Sequence, residues 1–153
     1  TWEAGSKPLI GSRVGVDMFK RIDPELLGER LRAREGTFVI LQRNSDASDI
    51  VKFTQALGRQ VADCSDINAD LSSALAMLAT LDEYIAVSNT NLHLRAGVTS
   101  SGVRHTTTLV CHPPEWRWGH HGHESPWFPG IRVLRELAAS GRPDTWSTAL
   151  SQL

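Results

Sequence analysis

Cysteine is scarce in this chain of 153 residues: only Cys64 and Cys111 occur. They have no CxxC spacing, which argues against a disulfide framework and for two buried free thiols in a reducing, cytoplasmic compartment. No apolar run approaches the roughly 20 residues of a membrane span. Basic residues form no run, and with a net charge of −1 and a pI near 6.6 no global field draws in nucleic acid or an anionic membrane. Internal repeats and low-complexity segments are missing, and so are the GxGxxG and P-loop spacings. No signal peptide opens the chain. It starts abruptly at TWEAGSK, as a strand cut through would, and Thr1 is not a natural start. The expectation is a fragment of a longer protein.

What is present suits one domain, residues 1–153. The apolar share of 41% and charged share of 22% are ordinary, and a chain of this length buries a proper core. Residues 23–34 predict a helix, with Asp23 as cap, Pro24 in the first turn, Glu25 favouring the dipole and Gly36 as the stop; Ile22, Leu26, Leu27 and Leu31 form its stripe. TFVILQ, 37–42, predicts a strand buried on both faces. A helix over 48–58 follows, with Ile50, Val51, Phe53 and Leu57 inward and Gly58 closing it. Then come a short strand at 60–64, a helix over 70–81 with Leu71, Ala74, Leu75 and Leu78 inward, and a strand at 83–88. A helix over 89–98 is entered directly from that strand. Strands at 104–111 and 131–136 and a closing helix over 144–153 complete the pattern. Alternation of this kind predicts an α/β domain, Rossmann-like, with a mostly parallel sheet and helices on both faces.

Ligands of open parallel sheets bind beyond the carboxyl ends of the strands, where three segments fall. AGSKPLIGSR, 4–13, sets Lys7 and Arg13 among small residues, as a phosphate loop or an ordinary surface loop would. In SNTNLH, 88–93, the strand ends at Ser88, Asn89 or Thr90 caps the next helix, and its free amides suit an anion. His93 there is either a ligand contact or a packed helix-face residue. The third segment is CHPPEWRW with the stretch up to 133, of which residues 115–133 gather three of five tryptophans and three of six histidines. Trp116 and Trp118 offer faces for a base or sugar, or lid the core. His120, His121 and His123 lack a recognised ligand spacing, so no metal site is expected and the cluster reads as a polar loop.

Two blocks, DEYIAVSNTNLHLRAGV and PEWRWGHHGHESPWFPGIRVLRE, resemble the C-terminal half of GT-B-type glycosyltransferases, with the nearest likeness to bacterial heptosyltransferase-like and tetratricopeptide-linked transferases. The resemblance extends more weakly to TFVILQ, TWEAGSK and DTWSTALSQL, and so covers most of the chain. It implies a Rossmann-like domain that binds a nucleotide-diphosphate sugar as donor. Thr90 and His93 would lie at the donor phosphates, with Ser88, Asn89 and the helix start beside them, and Lys7 and Arg13 would approach from the first loop. Trp116, Arg117, Trp118, Ser125, Pro126 and Trp127 would shape a structured wall beside the nucleotide. Asn89 stands where the family usually has aspartate, and Arg95 where it has a small residue.

In such transferases an acceptor hydroxyl attacks the anomeric carbon as the nucleotide diphosphate departs, and without a metal the developing charge is met by fixed cations, hydroxyls and a helix start. Lys7, Arg13, Thr90 and His93 are the right types. The family's general base comes from an acceptor-binding N-terminal domain, in some members joined to helical repeats; this chain has no convincing substitute and is expected not to turn over alone. No cofactor is implied. The alternative reading is a degenerate, non-catalytic GT-B-like binding module, and a third is a zinc-dependent hydrolase built on the histidine loop.

Overall fold

The computed structural model describes residues 1–5, 19–98, 105–137 and 146–153. Lys7 and Arg13 lie outside the described residues. Within them the chain runs β1 (Glu3–Ala4), β2 (Lys20–Arg21), α1 (Pro24–Leu31), β3 (Phe38–Ile40), α2 (Ala47–Leu57), β4 (Val61–Asp63), α3 (Leu71–Thr80), β5 (Glu83–Val87), α4 (Thr90–Val98), β6 (His105–Val110), β7 (Ile131–Arg135) and α5 (Ser147–Ser151). Short 3-10 turns occupy Ser65–Ala69 and Trp116–Trp118.

Local chemistry sets the helix ends. Asp23 accepts the Glu25 amide and Asp46 the Ser48 amide, so two helix starts carry a side-chain cap with a carboxylate at the positive end of the dipole. Gly58 closes α2 in the left-handed region at φ 74°, which costs a residue without Cβ little. Helix α1 stops at Leu31, before Gly36, because Arg32 already takes the capping position.

The parallel pairs are β3 with β4, and β5 with β6 and β6 with β7; β1 and β2 pair antiparallel. The segment 1–3 joins the two parallel groups. Thr1 donates its nitrogen to the Ile85 carbonyl at 3.0 Å and accepts from the Val87 amide at 3.1 Å, the exchange of a parallel pair. On its other side the buried Gln42 amide stands in for a ladder: its oxygen accepts from the amides of Trp2 and Glu3, and its nitrogen donates to the Glu3 carbonyl. The spatial order is therefore β4, β3, the opening segment, β5, β6, β7. The chain works outward from the opening segment to β4, then returns to its other side at β5.

Each apolar strand feeds two cores, as the period of two requires. One face holds Ile40, Val87, Leu109 and Leu134 against Leu27 and Leu31 of α1, Phe53 and Leu57 of α2 and Ala149 and Leu150 of α5. The other holds Leu41, Tyr84, Ala86, Val110 and Val133 against Leu78 of α3 and Leu92 of α4. Helices thus cover both faces of an α/β, mostly parallel arrangement. Two residues depart from the periodicity: Val51 and Leu71 are exposed rather than inward. Val51 lies two residues from both Asp49 and Phe53, on the opposite side of α2 from its buried stripe, and Leu71 is the first residue of α3.

Candidate functional site

A cleft of about 600 Å³ opens beyond the carboxyl ends of the strands. It is lined from one side by Thr1, Glu3, Ala4, Gln42 and Arg43, and from the other by Ser88, Asn89, Thr90, Asn91 and His93, with Lys20, Glu115 and Arg117 between. The cleft lies where the strand order reverses, between the opening segment and β5, which is where open α/β sheets hold ligands.

β5 ends at Val87 and α4 opens at Thr90, with only Ser88 and Asn89 between them. Asn89 is the cap: its Oδ1 accepts the Leu92 amide at 3.0 Å. Its nitrogen reaches the Tyr84 hydroxyl at 3.4 Å, and that hydroxyl lies 2.9 Å from Thr1 Oγ1. Burial raises the Tyr84 phenol above its ordinary value, over opposing bonds from Thr1 and Asn89, so it stays protonated.

Glu115 sits at the floor. Its carboxylate accepts from Ser88 Oγ at 2.9 Å, forms an ion pair with Lys20, and lies 2.9 Å from Arg117 Nε. Burial acts to raise its pKa, but the Lys20 hydrogen bond and charge, with Ser88 and Arg117, hold it below the usual carboxylate value. Arg117 Nη1 is 3.5 Å from His93 Nε2. His93 is half-buried in a stack, 6.4 Å from the Trp118 ring and 5.0 Å from the Phe128 ring. Burial first, and Arg117 second, lower its pKa, so the imidazole is neutral at pH 7. The floor then carries two cations, one carboxylate and a neutral ring that can accept or donate.

The WRW turn sends its residues three ways. Arg117 faces the cleft. Trp118 is fully buried behind His93, and Trp116 is 69% exposed, edge-on to Trp127 at 5.1 Å. Neither tryptophan is among the described residues that line the cleft. The loop beyond is held by Arg135, whose guanidinium donates to the carbonyls of Trp118, Gly119, His121 and Gly122. Ser125 Oγ donates to the Arg117 carbonyl at 2.5 Å and accepts the Trp127 amide. The segment is irregular but pinned at both ends. Among the described residues, no three His, Cys, Asp or Glu side chains gather as a metal would require.

Of the residues singled out in the sequence, Ser88, Asn89, Thr90, His93 and Arg117 converge on the cleft. Arg95 does not: it is buried on the far side of α4, bonded to Thr106 and to the Leu78 carbonyl. Lys20, Gln42 and Glu115 also line the cleft, and no motif in the sequence marks them. A carboxylate directly before WRW, 27 positions from Ser88, was the one signal for Glu115. Nothing local marks Lys20.

No protein-family model matches the chain, and no curated protein or solved structure matches it either.

Proposed function

We propose that the cleft binds the diphosphate of a nucleotide-diphosphate sugar, and that the chain is the donor-binding, Rossmann-like half of a metal-independent GT-B-type glycosyltransferase. The observation that carries the reading is the meeting of two sequence blocks, SNTNLH and PEWRW, in one cleft at the reversal of strand order. Asn89 supports it. A neutral cap satisfies the Leu92 amide while adding no negative charge, so the start of α4 keeps its attraction for an anion. Asp23 and Asp46, the caps of α1 and α2, are charged and face no such cleft.

A departing diphosphate would meet Thr90 and the first amides of α4, with Lys20, Arg43 and Arg117 as cations lining the same cleft and His93 as a neutral hydrogen-bonding wall. On this reading the acceptor-binding domain and the general base are supplied from outside this chain. Titration with UDP, GDP and ADP, followed by tryptophan fluorescence, tests the reading. Trp118 stacks on His93, so binding predicts a saturable change in emission for at least one of them. No change with any of the three, at millimolar concentration, would contradict it.

One observation favours the second reading, a GT-B-like module that has lost its chemistry: Glu115 already neutralises one of the two floor cations. That reading predicts no sugar transfer even when an acceptor domain is supplied.

A further inference from the structure

We infer that Glu115 and a ligand phosphate compete for one seat, built by Lys20, Ser88 and Arg117, so that Glu115 sets how much charge a ligand must carry to bind. The inference rests on the proposed function, because it takes the cleft to be a phosphate site.

The seat has the form of an anion site. Lys20 comes from β2, Ser88 from the residue just past β5 and Arg117 from the turn after β6, and all three point at the same carboxylate. Lys20 is 93% buried by its 7% exposure, so its charge has few alternatives to an anion held here. The four side chains line the cleft, which leaves the seat open to an entering group. The carboxylate also fills it incompletely. Arg117 Nε is within 2.9 Å of Glu115 yet is a buried donor without an aligned acceptor among the described residues. A buried N–H left unbonded is unfavourable, and a third anionic oxygen would satisfy it.

Charge decides the competition. A carboxylate brings one negative charge and two oxygens; a terminal phosphate, as in pyrophosphate or a departing nucleoside diphosphate, brings about −1.5 to −2 and three. Coulomb attraction to Lys20 and Arg117 scales with that charge, and the guanidinium fork suits phosphate geometry. A monoanion has no advantage over Glu115 and leaves it in place. A diphosphate has one, and displaces the carboxylate toward the open mouth of the cleft.

The experiment is calorimetric titration of inorganic pyrophosphate into the wild-type chain and into Glu115→Gln, which keeps the size of the side chain and removes its charge. Competition predicts at least tenfold tighter binding by E115Q, including the case where only E115Q binds measurably. If the wild type binds and E115Q binds equally or more weakly, the competition is overturned and the phosphate site stands. If neither binds pyrophosphate or UDP, GDP or ADP, the seat takes no phosphate and both readings fall. Should E115Q not fold by circular dichroism, the side-chain carboxyl carbon of Glu115 in the wild type, observed by 13C NMR, provides the test. Saturating pyrophosphate is expected to shift it as the carboxylate leaves Lys20; an unmoved resonance overturns the competition.

Discussion

Asn89 caps α4 through an oxygen 3.0 Å from the Leu92 amide, and the same side chain faces the cleft. One residue therefore governs both the integrity of the helix start and the charge that a ligand meets there. Asn89→Ala is expected to destabilise the fold by about 1 kcal/mol, the usual effect of losing a cap. Asn89→Asp should keep stability within that margin yet weaken diphosphate binding, because it adds a like charge at the phosphate. Urea denaturation and calorimetric titration of the two variants separate the effects.

His93 is expected to contribute to binding through a hydrogen bond to a charged group. His93→Ala should weaken nucleotide-diphosphate affinity by about 1–3 kcal/mol, read by titration. Unchanged affinity would remove His93 from the site.

The same imidazole makes stability depend on pH. Its folded-state pKa lies below the ordinary 6.5, through burial and then Arg117. Between the two values the unfolded chain binds the extra proton and the folded chain does not, so stability falls as pH drops below about 6.5 and levels off once the folded form is protonated. His93→Gln should flatten the difference in urea midpoint between pH 7.5 and pH 5.5. An equal slope in both proteins would show that other groups cause it.

Gly28 marks the closest approach of α1 to α2. A Cβ there would meet the Phe53 carbonyl oxygen at 2.7 Å and the Ala56 Cβ at 2.9 Å. Gly28→Ala is expected to cost about 1–3 kcal/mol in thermal or urea unfolding through overpacking, outweighing the better helix propensity of alanine.

These contacts explain which parts of the molecule were legible in advance. Helices α1, α2, α3 and α4 were, because caps and apolar spacing are local signals: Asp23 with Pro24, Asp70 bonded to the Ser73 amide, Gly58 past the end of α2. The alternation of strands and helices likewise announced a mostly parallel sheet. The seam was not legible. Gln42 replaces a backbone ladder across 39 and 40 positions of sequence, and no local pattern distinguishes it from a strand-end glutamine. The exposure of Val51 and Leu71 was not legible either, because adjacent Ile50 and Val51 do not reveal which of the two belongs to the stripe of α2, and Leu71 is the first residue of α3. At the site, Ser88, Asn89, Thr90 and His93 were visible as a strand running into a helix start. Lys20 and Glu115 were not, since their pairing spans 95 positions and exists only once β2 and the turn after β6 are in place. The indoles of Trp116 and Trp118 looked alike in sequence, but a single 3-10 turn buries one and exposes the other.

The central claim is that a diphosphate settles where β5 runs into α4. The most direct measurement is amide chemical-shift mapping of the isotope-labelled chain by NMR as UDP, GDP or ADP is added. The account predicts that the largest shifts for a binding nucleotide fall on Thr90, Asn91 and His93 and on Arg117, saturating together with one dissociation constant. Saturable shifts that cluster away from these residues, or none at all with the three nucleotides, would contradict it.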